Sequence, residues 1–141
     1  MLTLPLFALA ILASGSPLDD SSPKVVALRF MALIKAKDWK AATAMLTDDA
    51  QFVVGHVGGP LNTETIPITD TVNSTKVTCT LLDTTQTDDR LPGHPEMSFV
   101  ESRYQCLKEG GPQTHELRIT YFVKGQKIAG YMLNSGARPP Q

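Results

Sequence analysis

The 141-residue sequence is short of the features that most directly disclose a function. It carries no basic excess: 13 Lys and Arg stand against 14 Asp and Glu, a formal charge of −1. That balance gives no electrostatic footprint for nucleic acid or for an anionic membrane surface. There is no glycine-rich phosphate loop, no nucleophile elbow and no zinc motif. The three histidines, His56, His94 and His115, have no close metal-ligand spacing, and no metal or cofactor is expected. Residues 83–89 (DTTQTDD) lack the glycine and ligand rhythm of a calcium loop, so a solvated hairpin arm is expected there. The chain has no internal repeat and no low-complexity tract. Beyond its first residues, no run is long and apolar enough to cross a membrane.

What is present begins with residues 2–13 (LTLPLFALAILA), almost wholly apolar but too short to span a bilayer as a helix. The Ala13-Ser14-Gly15 that follows is a small-residue cleavage pattern. The preferred reading is a signal peptide over residues 1–15 and a polar leader over 16–22. One feature departs from that pattern: no Lys or Arg precedes the apolar run. The other reading is an apolar terminus that is disordered or packed in the core. Residues 135–141, with Gly136, Pro139 and Pro140, read as a loose tail. The intervening chain has the length of one ordinary domain, 23–134.

That domain opens on a helix. Ser22 can cap it and Pro23 sits at the first helical position. Val26, Phe30, Leu33 and Ile34 make one apolar face, and Val25, Leu28, Met31 and Ala32 make a second. Such a helix is expected to be covered from more than one side. Asp38 caps a second helix with Trp39, Ala42 and Leu46 on one face. Residues 51–57 read as a strand ended by Gly58-Gly59-Pro60. A Thr-rich, irregular connection over 61–75 follows, with room for a short edge strand. Four strand runs then appear: 76–82, 97–107, 116–123 and 127–133. Two helices followed by antiparallel strands is an α+β pattern.

The two cysteines test the pairing. If Cys79 faces Cys106, the hairpin's mirror point falls between Pro92 and Gly93, inside a Pro/Gly turn. Register and cysteine positions agree, so a cross-strand disulfide is favoured over two buried thiols. Val77, Cys79 and Leu81 then face Lys108, Cys106 and Tyr104. The turn at Gly110-Gly111 is expected to set Tyr104 near Ile119 and Ser102 near Tyr121. Alternation puts Val100, Ser102, Tyr104, Leu117, Ile119, Tyr121, Val123, Ile128 and Met132 on the face that packs on the helices. It puts Phe99, Glu101, Arg103, Gln105, Arg118, Thr120, Phe122, Ala129, Tyr131 and Leu133 on the other, which suits a solvated surface or a dimer contact.

The order helix, helix, strand, irregular segment and long antiparallel strands resembles the nuclear transport factor 2-like (SnoaL-like) superfamily. The resemblance is carried by AKDWKAATAMLTDDAQFVV after the first helix and ITYFVKGQKIAGYML near the end. It implies N-terminal helices packed on a curved antiparallel sheet that forms a cone. It also implies a small-molecule pocket at the cone's mouth and a homodimer. The superfamily includes isomerases, cyclases, epoxide hydrolases and non-catalytic binding domains, so the fold does not choose among them. The steroid isomerases' inward tyrosine and two carboxyl groups have no match on the first helix, and the sheet's inner face offers only Asp83. The epoxide hydrolases' Asp-Arg-Asp set fails because Arg103 and Arg118 face outward.

The residues expected to line a pocket are Phe30, Trp39, Val54, His56, Tyr104 and Tyr121. His56 alternates with Phe52 and Val54 and is expected to point inward, as a general base or as an ordinary strand-end histidine. His94 and His115 are expected to be solvated, and Asn73-Ser74-Thr75 matches a glycosylation acceptor. The expected function is an exported, secreted or periplasmic, non-enzymatic domain that binds a small apolar molecule or a protein partner. No nucleic acid is expected as partner, and no membrane after signal cleavage. The alternative is a small isomerase or hydrolase using His56, Asp83 or Tyr104.

Overall fold

The computed structural model describes residues 22–87, 93–108 and 114–135. The expected signal peptide, nearly all of the leader, the 110–111 turn and the tail beyond 135 lie outside the described residues.

Helix α1 (Pro23–Lys35) starts where its sequence says it should. Ser22 Oγ accepts from the Val25 N–H at 3.2 Å, and Pro23 occupies the first turn. Val26, Ala27, Phe30 and Ile34 are buried. The expected second face is covered in part: Val25 and Met31 are half-buried and Met31 packs against the core, while Leu28 is 38% exposed and Ala32 is exposed. The sheet packs on one side of the helix, and the short helix that follows also contacts it. Helix α2 (Trp39–Ala44) is capped by Asp38, whose Oδ1 accepts from the Ala41 N–H at 3.1 Å.

Strand β1 (Leu46–Val54) starts earlier than expected and ends at a Gly55-His56 turn. Strand β2 (Val57–Pro60) folds back on it, so the Gly-Gly-Pro segment lies in a strand and does not end one. The connection 61–75 holds a one-turn helix, α3 (Thr65–Thr69), in place of an edge strand. Asn62 builds its start: Oδ1 accepts from the N–H groups of Glu64 and Thr65 at 2.9 Å each.

Strands β3 (Val77–Thr87), β4 (Met97–Lys108), β5 (Thr114–Lys124) and β6 (Lys127–Ser135) form a meander. The six strands lie in the order β2-β1-β6-β5-β4-β3. All neighbours are antiparallel except β1 and β6, which run parallel, so the curved sheet is mixed.

The β3–β4 register is the expected one: Cys79 faces Cys106, Val77 faces Lys108 and Leu81 faces Tyr104. Cys79 and Cys106 form a disulfide with Cα atoms 4.1 Å apart. Beyond Leu81 the alternation breaks. Leu82 is an extra residue on β3, and Asp83 pairs with Arg103 on the outer face. This bulge overturns the inward placement of Asp83, because one added residue exchanges the two faces of a strand. The β4–β5 pairing sets Tyr104 against Leu117 and Ser102 against Ile119. That is two residues from the expected register, a shift that keeps every side chain on its face.

A second bulge lies on β6. Val123 faces Ile128, but Phe122 faces Gly130 and Tyr121 faces Tyr131, so Ala129 is the extra residue. Tyr131 and Leu133 therefore turn inward and are buried, and Met132 turns outward, the reverse of the simple alternation. Gly130 has φ +155°, and a Cβ there would lie 2.3 Å from the Gln51 carbonyl oxygen of the parallel neighbour. Only glycine lets the two backbones approach this closely.

The core sits between α1 and the concave face, with Val26, Phe30, Val100, Leu117, Val123 and Ile128 almost fully buried. The convex face divides in two. One end carries an ion network: Arg103 pairs with Asp83 at 2.5 Å and with Glu116 at 3.4 Å, and Arg118 reaches Glu116 at 3.0 Å. Arg103 and Arg118 face outward as expected. The other end carries an edge-to-face Phe99–Phe122 pair with centroids 5.3 Å apart.

Candidate functional site

A cavity of about 30 Å³ lies between α1, the α3 helix with the 70–73 loop, and the concave face of β4, β5 and β6. Helix α1 supplies Phe30, Met31 and Ile34; the strands supply Tyr104, Ile119, Tyr121 and Tyr131. The loop after α3 brings in Asp70, Thr71, Val72 and Asn73. Pockets for drug-sized molecules run to about 300–1,000 Å³, so this one accommodates a small head group.

Three of the rings form one cluster. Phe30 and Tyr121 lie 6.0 Å apart edge to face, Tyr121 and Tyr131 likewise at 6.0 Å, and Phe30 and Tyr131 at 6.3 Å. The inward turn of Tyr131 at the β6 bulge completes the cluster. The hydroxyls differ in their commitments. Tyr131 bonds to Thr69 Oγ1. Thr69 Oγ1 in turn donates to the Thr65 carbonyl at 2.9 Å, so the Tyr131 O–H is the donor to Thr69. Tyr104 and Tyr121 make no hydrogen bond to another described residue, and no buried side-chain oxygen among the described residues lacks a partner. Both hydroxyls therefore reach open space.

Among the described residues Asp70 is the one carboxyl group lining the cavity. Its Oδ1 accepts from Asn73 Nδ2 at 3.0 Å. Burial raises its pKa, against the hydrogen bonds from the Asn73 side chain and backbone and the charge of Lys37. Burial pushes the Tyr104 phenol up to about 12, helped by the charge of Asp70. Burial likewise lifts Tyr131 to about 12, with the Thr69 bond opposing and Asp70 assisting, and lifts Tyr121 well above its usual range. All three phenols stay protonated at neutral pH. The site thus offers neutral phenols, one carboxylate and apolar walls, a set able to bind a small polar head or to move a proton.

The structure brings together three of the expected lining residues, Phe30, Tyr104 and Tyr121. Trp39 and Val54 are half-buried against the core elsewhere, and neither lines the cavity. His56 is exposed in the β1–β2 turn, not inward: two residues of turn follow Val54, and strand alternation stops there. Asp83 is held outside by Arg103, which keeps its carboxyl below the usual carboxylate range. Of the expected catalytic candidates only Tyr104 reaches the cavity. Asp70, Asn73, Thr69 and Tyr131 were not expected there. The sequence around Asp70 carries only the polar, Thr-rich character of a connection, and Tyr131 is reached only through the bulge. His94 is exposed with Glu96 at 3.4 Å, and His115 is half-buried. Among the described residues no group of three His, Cys, Asp or Glu could hold a metal, and no helix is long and apolar enough to cross a membrane.

No family model and no curated protein matches the chain. Solved structures do match. An NTF2-like protein of unknown function from Cytophaga hutchinsonii superposes with TM-score 0.59 at 10% identity, covering 86% of this chain and 95% of its own. The hub of CaMKII from S. rosetta gives 0.55 at 17%, covering 82% and 98%. A ketosteroid isomerase-like protein from Erwinia carotovora atroseptica gives 0.51 at 14%, covering 80% and 92%. At such identities the likeness establishes the nuclear transport factor 2-like fold, an α+β helix-and-curved-sheet architecture, and leaves the chemistry to the residues.

Proposed function

We propose that this chain is an exported domain that binds a small, largely apolar molecule through the concave cavity, without a matching catalytic set. The observation that carries the reading is the cavity itself: apolar walls with two uncommitted phenol hydroxyls and one carboxyl group. Concave, largely apolar surface with a few convergent polar groups is the usual form of a small-molecule site. Export is supported by the Cys79–Cys106 disulfide, which persists in oxidising compartments, and by the apolar 2–13 segment. The domain boundaries proposed are 1–15 for the signal, 16–22 for the leader, 23–134 for the fold and 135–141 for the tail.

Binding is tested by titrating the folded protein with short-chain alcohols, amines and carboxylic acids while following the ring resonances of Tyr104, Tyr121 and Tyr131. Shifts confined to those rings, and lost when Val72→Trp fills the loop side of the cavity, support the reading. Unmoved rings at millimolar concentrations overturn it.

A second reading, a small isomerase or hydrolase, rests on Asp70: a carboxyl raised by burial beside tyrosine hydroxyls is suited to proton transfer. Its test is exchange of the α-protons of a small ketone in heavy water. Acceleration by the wild type and none by Asp70→Asn supports it; equal rates with and without protein dismiss it.

A homodimer is proposed through the apolar end of the convex face, where Phe99 and Phe122 are half-exposed beside Met132 and Val53.

A further inference from the structure

Part of the cavity's polar lining offers acceptors alone, while the protonated Tyr104 and Tyr121 hydroxyls keep one donor each. An ionised carboxylate only accepts, and Asp70 is the one carboxylate there among the described residues. The Asn73 side-chain amide already donates to Asp70 at 3.0 Å. Tyr131 spends its proton on Thr69, because the single Thr69 proton goes to the Thr65 carbonyl. The Tyr131 oxygen therefore has only lone pairs left to offer. The charge, in contrast, is one-sided. Lys37, at the turn between α1 and α2, acts on Asp70 through its charge without an ion pair, and no ion pair joins Asp70 to a cation among the described residues. Around this carboxylate stand Phe30, Tyr104, Tyr121 and Tyr131. Aromatic rings attract a cation placed over a face within about 6 Å of the centroid.

We propose that the cavity receives a small ammonium head group, held by the Asp70 carboxylate and neighbouring oxygen acceptors within the aromatic cluster. An ammonium supplies the positive charge that the site lacks, and the Tyr104 and Tyr121 hydroxyls can turn their lone pairs toward its N–H groups. Its three N–H groups match the Asp70 carboxylate, the Tyr131 oxygen and one phenol oxygen of Tyr104 or Tyr121. A carboxylate ligand meets like charge at Asp70. A neutral alcohol can use the same acceptors with a single donor and gains nothing from the charge. The volume of about 30 Å³ selects a primary ammonium on a slender chain over a bulky quaternary one. This inference rests on the small-molecule reading above and names the ligand class for it.

The test compares n-butylammonium, 1-butanol and butyrate on the full protein, by ring-resonance titration with circular dichroism as the control for folding. The amine is expected to bind about tenfold more tightly than the alcohol, the size of a charge-assisted preference. Asp70→Asn should remove that preference while the alcohol still binds. Tyr131→Phe, which keeps the ring and removes the acceptor, should weaken the amine more than the alcohol, whose single donor can turn to another oxygen. Equal or tighter binding of the alcohol or the acid overturns the ammonium assignment and leaves the cavity a ligand site. An amine preference that survives in folded Asp70→Asn also overturns it. If none of the three moves the rings, the binding reading fails and this inference falls with it.

Discussion

Removing the Cys79–Cys106 bridge should cost this fold a large share of its stability. The crosslink joins residues 27 apart. Restricting an unfolded chain over a loop of that length is worth about 3.5 kcal/mol on the chain-entropy account. Small domains are stable by about 5–15 kcal/mol in all, so the loss would be felt over the whole domain. The perturbation should be Cys79→Ala with Cys106→Ala. Cys106 is fully buried on the concave face, and serine there would bury a hydroxyl and confuse the measurement. In urea, with m about 1.5–2 kcal/mol/M, the midpoint should fall by about 2 M. The melting temperature should fall by roughly 14 °C for a domain of this size. The m-value should rise, because an unbridged unfolded chain exposes more surface. Wild-type protein kept reduced should behave like the double variant. A loss below about 1 kcal/mol with unchanged m would refute the reasoning. It would mean that the β3–β4 hairpin is already held together in the unfolded state, or that the crosslink strains the native sheet.

Gly130→Ala should destabilise by about 3 kcal/mol in urea melts, since its Cβ meets the Gln51 carbonyl and its φ is costly for alanine; a neutral result would mean that β1 and β6 part easily. Asp70 is faced by Asn73, Lys37, Tyr104, Tyr121 and Tyr131, and its net shift is upward through burial. Its protonated form is thus favoured in the fold, giving stability present below the unfolded pKa and lost as pH rises through the folded one. Asp70→Asn should therefore gain on the wild type above that window, and a flat difference between pH 3 and 7 would contradict the assignment. Phe122→Glu should give a folded monomer by sedimentation; a wild type that is already monomeric at high concentration removes the dimer. Protein recovered from an oxidising compartment should begin close to Ser16 by N-terminal sequencing, and an intact Met1 there would end the cleavage claim.

The hairpin from β3 to β4 was legible because two independent signals agreed, the cysteine pair and the Pro/Gly turn. Caps were legible too: Ser22 and Asp38 act as their residue types suggest. Alternation failed at Leu82 and Ala129, where one extra residue reverses the faces. A bulge leaves no mark in a period-2 pattern, and only Gly130 hinted at the second. The site suffered most from this. Asp83 was expected inside and Tyr131 outside, and the bulges exchange them. Asp70 was invisible for another reason: the 61–75 segment has no periodicity, and only the packing of α3 on the sheet brings its carboxyl to the rings. The parallel β1–β6 pair could not be read from strand patterns either, since its partners lie at opposite ends of the domain.

That parallel pair also sets an order of events. The meander from β3 to β6 joins strands through short connections, and such pairings close early because little chain must be immobilised first. Strand β1 can find β6 only after nearly the whole domain has been delivered, whether from a ribosome or through a translocation channel. Until then α1, with Phe30 and Ile34, has no completed surface to cover, and one edge of β6 stays unpaired. The disulfide lies in the early hairpin and can be oxidised before that last pairing. The vulnerable interval in the life of the chain is therefore the wait of its first elements for its last strand, when apolar helix and open sheet edge are exposed together.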